Sequence, residues 1–327
     1  MPETFRDLIA ANKRNSVILV IAFVLFTTLV VMVLTLAILF MFDDTLLARI
    51  HWGRAVALGG LAAATALAIA LLLYYEGGPM VLAVSGARPL KKEQDPQLYN
   101  VVEEMAIAAG VPMPEVYLIL DGAPNAFATG RDPQHAVVAI TSGLRTKLNR
   151  EELQGVIAHE MAHIRNYDIR LMLLLAVLIG TIVMLSDVFW QMLRFAPSSG
   201  GGRSSSRDDK GKGGGAGAIM LVIFILAMVL ALIAPLLAQI IQLAVSRQRE
   251  YLADASAVEL TRNPLGLAGA LRKIADDPED LKRATGGTAH LFIANPVKKF
   301  SARANSMLCS HPPIEDRIAR LEALARA

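Results

Sequence analysis

Cysteine is nearly absent: Cys309 stands alone in 327 residues, so no intramolecular disulfide can brace the fold. A single thiol fits a reducing compartment, and fits a disulfide-free protein elsewhere nearly as well. Charge is also scarce, with Asp, Glu, Lys and Arg making up 19% of the chain and a formal net charge of only +3. The basic residues are scattered, without a run that could track a phosphate backbone, and this excludes nucleic acid as the partner. With so few charges, and hydrophobic residues at 54%, the balance is that of membrane proteins rather than soluble ones.

What the chain does have is long apolar runs. A helix needs about 20 apolar residues to cross a bilayer, and four stretches offer that: 17–42, 55–75, 171–193 and 218–245. The first carries no charge between Arg14 and Asp43, is too long for the apolar part of a signal peptide and lacks a convincing cleavage site, so it reads as an uncleaved anchor. The second ends in Tyr74 and Tyr75, a pair suited to a membrane interface. Pro235 predicts a kink in the fourth. Asp187, near the far end of the third and close to Trp190, reads as interfacial rather than as an ion-carrying group within the bilayer.

The organisation follows: 1–75 as a basic tail and two spans, 76–170 as the first part of a folded domain, 171–245 as two more spans, and 246–327 as the second part of that domain. Between spans three and four, residues 197–217 include "SSGGGRSSSRDDKGKGGGAG", a Gly/Ser-rich flexible linker. In "DPQLYNVVEEMAIAAG", Asp95 is placed to cap a helix, Pro96 to start it and Gly110 to stop it, with Leu98, Val101, Val102 and Met105 as its buried stripe. "PEVYLIL" and "HAVVAIT" are short apolar or β-branched runs between turn residues and predict strands, and "NAFATG" between them is a weaker strand. Asn149 and Glu152 have the spacing of a capping box at the start of "NREELQGVIAHEMAHI". Helices are predicted around "SRQREYLADASAVEL", "NPLGLAGALRKIA" and "PPIEDRIARLEALA". The predicted fold is a mostly α membrane protein, four transmembrane helices plus an α+β domain with a small β-sheet.

His159 and His163 are four residues apart on one predicted helix, so their rings leave the same face and can share one tetrahedral Zn²⁺. Glu160 between them would stand beside the metal without ligating it, placed to take a proton from an activated water and return it to a leaving amine. This is the H-E-x-x-H pattern, on a helix that precedes the third apolar run. A catalytic zinc needs a third protein ligand. Glu250, in "SRQREYLADASAV" just after the fourth run, is the candidate, and Asp254 one helical turn later could fix the tautomer of a ligand histidine. Glu250 can reach His159 only if the chain between them crosses the membrane an even number of times, and two apolar stretches satisfy that condition. Near the span ends, ten Lys or Arg flank the domain side against seven on the other, which places the domain inside by the positive-inside rule.

In these residues the chain resembles the HtpX family of membrane zinc metallopeptidases, relatives of the type-1 CAAX prenyl endopeptidases. The resemblance runs over nearly the whole chain, through the paired amino-terminal spans, "NAFATG", "VIAHEMAHIRNYDIR", the following hydrophobic pair, "SRQREYLADASAV" and "CSHPPIEDRIARL", in that order. It implies a gluzincin-like domain facing the cytoplasm at the bacterial inner membrane, one Zn²⁺ per chain on His159, His163 and Glu250, Glu160 as general base, and a role in clearing damaged membrane proteins. The implied partners are polypeptide substrates and the lipid bilayer. His311 and Arg317 match the family's S-T-H-P-P element and the arginine after it, and could hydrogen-bond a developing oxyanion; Cys309-Ser310 departs from the usual Ser-Thr, and the alternative is that Pro312 and Pro313 begin the last helix and His311 merely precedes it. Asn125, Ala126, Phe127 and Ala128 match the edge strand on which the family lays extended substrate, or Asn125 is a turn residue. Asn166 and Asp168 either support the metal ligands or end the helix. Two rival readings share these residues: a prenyl-protein peptidase, for which more than four spans are expected, and a non-catalytic membrane scaffold that keeps a metal site.

Overall fold

The computed structural model describes residues 52–176, 247–282, 291–294 and 312–326, with scattered positions between 10 and 29. The third and fourth apolar stretches beyond residue 176, the Gly/Ser-rich linker, Asp187, Cys309 and His311 lie outside the described residues. The chain divides into two compact units, one of Met1–Val20, Leu72–Gly180 and Ala238–Ala327, the other of Ile21–Leu71 and Thr181–Leu237. Apart from Trp52–Leu71, the first part of helix α1, everything that follows lies in the first unit.

Helix α1, Trp52–Ser85, contains the apolar run 55–75 but does not stop at the tyrosine pair. It continues through Gly77, Gly78 and Pro79 for another ten residues. Within the first unit, the Tyr75 ring lies 5.2 Å from the Arg131 guanidinium and the Tyr74 ring 5.9 Å from that of Arg170, within reach of a cation–π attraction. Among the described residues, which omit many α1 side chains between 52 and 73, no helix is long and apolar enough to cross a membrane.

Four strands form one mixed sheet in the order β1-β2-β4-β3: β1 Ala87–Pro89, β2 Glu115–Ile119, β3 Ala126–Gly130 and β4 Ala136–Thr141. β2 and β4 run parallel, Glu115 opposite Val137 through Ile119 opposite Thr141, while β3 returns antiparallel along β4. Both predicted strands and the weaker "NAFATG" are present. β1, too short to show a pattern, was not foreseen. Helix α2, Pro96–Ala109, precedes β2 and is bounded as its sequence predicts: the Asp95 carboxylate accepts the Leu98 N–H, and Gly110 closes the helix at φ 68°, where a side chain would be strained. A short helix α3, Ser142–Lys147, follows β4 directly because the Thr141 hydroxyl accepts the Leu144 N–H at 3.1 Å.

Helix α4, Arg150–Arg165, is the centre of the unit. Its capping box forms as expected, the Asn149 side chain accepting the Glu152 N–H while the Glu152 carboxylate accepts that of Asn149. Packed around α4 are α2, β3, α5 (Arg247–Thr261) and α6 (Pro264–Asp276), and α7 (Ile314–Arg326) lies against α5 and α6. Eleven of the sixteen α4 residues are buried, among them His159 and Glu160. So tight a fit needs one very close approach. At Gly155, one turn before His159, an added Cβ would stand 2.7 Å from the Leu267 backbone nitrogen of α6. Gly155→Ala is therefore expected to lower stability by about 1–3 kcal/mol, even though alanine gains up to about 1 kcal/mol of helix propensity; thermal unfolding measures it.

Asp95 ties α2 to α3, accepting from Arg145 Nε at 2.5 Å and Nη2 at 3.0 Å. Burial works against its charge, but Arg145 and the amides at the start of α2 outweigh it and hold the carboxyl below its ordinary value. A depressed carboxyl adds stability above its unfolded-state value near 3.8, and that stability is lost as pH falls through the native value. Asp95→Ala is expected to cost about 1–2 kcal/mol at pH 7, with the gap from wild type shrinking below pH 4 in unfolding curves.

Candidate metal centre

The site grows out of the crossing of α4 and α5. Four-residue spacing puts His159 and His163 on one face of α4, their rings edge to face with centroids 4.7 Å apart and their Nε2 atoms 3.1 Å apart. Glu250, in the first turn of α5, meets them from the opposite helix. Its Oε1 is 3.6 Å from His163 Nε2 and its Oε2 is 3.8 Å from His159 Nε2. One atom from each of the three residues lies within 4.8 Å of the others. All three are largely buried, Glu250 and His159 at 1% exposure.

Each imidazole is oriented from behind. Asp254 Oδ1 is 2.9 Å from His159 Nδ1, and Asp168 Oδ2 is 3.0 Å from His163 Nδ1. With Nδ1 donating to a carboxylate, Nε2 keeps its lone pair and points at the other ligands, the arrangement metal-binding histidines use. Asp254 is held in turn by Arg317 of α7, whose Nε and Nη2 donate to it at 2.8 and 2.6 Å. Asp168 is placed by a turn that the sequence does not reveal. The α4 backbone ends at Asn166, Tyr167 adopts a left-handed φ of 60°, and a new helical run begins at 168. A non-glycine residue held in that region stores strain of about 1–3 kcal/mol; here it turns the chain so that the Asp168 carboxylate points back at His163. Asn166 is the cap of α4, and Asp168 is the supporting residue.

Burial and close pairing set the electrostatics of the site. Burial pushes the His159 imidazole down to about 4. Burial acts against His163 too, but the Asp168 hydrogen bond and the Glu250 carboxylate outweigh it and raise the ring to about 9. For Asp254, burial is overcome by Arg317 and His159, which hold it at about 2. Glu160, buried beside the triad, is raised to about 7 chiefly by desolvation, with Glu250 adding to the rise. Two imidazole Nε2 atoms and a carboxylate converging in this setting fit a divalent cation of borderline softness.

The sequence profile of peptidase family M48 matches residues 92–325. The chain belongs to peptidase family M48. Its curated relatives named Protease HtpX homolog include that of Lactobacillus helveticus, 41% identical, covering 97% of this chain and 98% of its own. That of Levilactobacillus brevis is 44% identical with 97% and 99% covered, and that of Thermoanaerobacter pseudethanolicus is 46% identical with 81% and 86% covered. Among solved structures, Ste24p of S. mikatae aligns at a TM-score of 0.45 and 19% identity, over 89% of this chain and 62% of that one. M48 peptidases are metal-dependent, and the His159, His163 and Glu250 cluster fits that requirement.

The remaining expected residues of this M48 chain are distributed as follows. Asn125, Ala126, Phe127 and Ala128 fall at and within β3, an edge of the sheet as expected, but β3 is buried along its whole length. Asn125 makes no simple turn: its Nδ2 donates to Ala294 O at 3.1 Å. Arg317 is in the site, and its guanidinium is engaged by Asp254 and by the Ile293 carbonyl at 2.8 Å. Leu291–Ala294, which no motif marked, packs onto both β3 and the triad. Its only signal in sequence is a four-residue apolar run, too short for periodicity to act on.

Arg317 is 1% exposed. Truncating one partner of a buried ion pair leaves the other charge uncompensated, a loss of about 3–5 kcal/mol. Arg317→Met is expected to show that loss in unfolding of the metal-free protein, and Arg317→Lys, which keeps the charge but not the fork, a smaller one.

Proposed function

We propose that this chain is a membrane-embedded zinc endopeptidase at the bacterial inner membrane, its active site facing the cytoplasm, hydrolysing peptide bonds of membrane-protein substrates. The observation that carries the reading is the convergence of His159, His163 and Glu250 with the buried acid Glu160 beside them. Membership of a protease family and the HtpX names of its relatives support it. The four apolar runs and the excess of basic residues on the domain side support the membrane placement.

His159, His163 and Glu250 would hold the zinc. Bound there, zinc supplies a Lewis acid that polarises the scissile carbonyl and makes water nucleophilic near neutral pH. Glu160 moves the proton: with its carboxyl lifted to about 7, it can take one from the attacking water and deliver it to the leaving amine. Asp254 and Asp168 fix the imidazole tautomers, and Arg317 fixes Asp254. His311 and Arg317 are proposed to steady the oxyanion, and Asn125 to Ala128 to pair with extended substrate through backbone hydrogen bonds.

The decisive experiment compares Glu160→Gln and His159→Ala with wild type in detergent. Wild type should contain one zinc per chain. Glu160→Gln should keep the metal and lose about 10²–10⁴-fold in peptide cleavage, whereas His159→Ala should lose the metal. Undiminished cleavage by the glutamine variant would refute the mechanism.

A further inference from the structure

The outer edge of β3, where an extended peptide would add, is already occupied. Ala126 and Ala128, two residues apart, direct their backbone groups to the same side, away from β4. The Ala126 carbonyl accepts the Ile293 N–H at 2.9 Å. The Ile293 carbonyl in turn accepts from Arg317 Nη1 at 2.8 Å, and the Ala294 carbonyl from Asn125 Nδ2 at 3.1 Å. Phe292, fully buried, meets the Phe127 ring edge-on with centroids 5.0 Å apart. Both backbone groups of Ile293 are thus paired, its N–H with β3 and its carbonyl with the Arg317 guanidinium.

This segment also closes the site. Leu291, Phe292 and Ile293 line the same cavity as Glu160 and the three candidate ligands, and the cavity measures about 10 Å³. That is room for roughly one water molecule, and far too little for a peptide backbone.

We propose that Leu291–Ala294 is an internal pseudo-substrate. It lies along β3 in the groove of the catalytic domain, and a polypeptide binds only after it has left. The inference rests on the protease reading, and it adds both a restraint on activity and a substrate class. The sequence Leu-Phe-Ile-Ala is uncharged and apolar throughout, so the groove it fills selects extended apolar segments, of the kind that unfolded membrane helices present.

The test uses the full chain in detergent and a fluorogenic peptide with a Leu-Phe-Ile-Ala core. Ile293→Pro removes the donor to Ala126, and Phe292→Ala removes the ring. Each should raise kcat/KM at least fivefold at unchanged zinc content, and a peptide copying residues 288–297 should compete more strongly against the variants than against wild type. Equal or lower kcat/KM with zinc retained would make the segment a fixed wall and overturn the proposal. If either variant misfolds, hydrogen exchange on the Glu160→Gln protein answers the same question. Saturating peptide should speed exchange at the Ile293 amide at least tenfold, and continued protection with peptide bound would overturn the proposal. This readout needs no turnover, so a failure of the protease reading itself registers separately, as equal cleavage by wild type and Glu160→Gln.

Discussion

The structure depends on the contact between α4 and α5, which holds ionisable groups where water cannot reach them. His159, Glu160, Glu250, Asp254 and Arg317 are each at most 4% exposed. Isolated charges so placed would be prohibitively costly. They are tolerated because they form a chain: Arg317 to Asp254, Asp254 to His159, and the two imidazoles toward Glu250. Every link fixes the geometry of the next. At its end, the two imidazoles and Glu250 converge closely enough to hold a metal ion.

The rest of the unit serves this crossing. Gly155 lets α6 approach the backbone of α4, which sets the depth of the histidines. The capping box fixes the start of α4, and the left-handed Tyr167 fixes its end and the direction of Asp168. The sheet contributes through its edge: β3 supplies the Ala126 carbonyl to the Ile293 N–H. In the proposed exchange, a substrate would take over that carbonyl as the segment leaves.

Sequence reading succeeded where the determinant is local. The caps of α2 and α4 are chosen by side chains within three residues of the helix start, so Asp95, Asn149 and Glu152 could be placed without coordinates. The histidine pair is fixed by helical periodicity. Glu250 was reached from its place in a polar helix directly after the fourth apolar run, four residues before Asp254. Reading failed for β1, which has three residues and no pattern, and did not foresee that α1 runs on for ten residues past Tyr75.

By itself, then, the sequence determined the histidine pair that could ligate a metal, the acid that stands between them and where the helix that carries them begins, since each of these is written in spacings of three or four residues. Tertiary structure alone decided what Arg317 holds, how Asp168 reaches His163 and what lies along the edge of β3. Those contacts join residues distant in the chain, such as Arg317 with Asp254 and Ile293 with Ala126, and short-range pattern carries no information about pairs brought together only by packing.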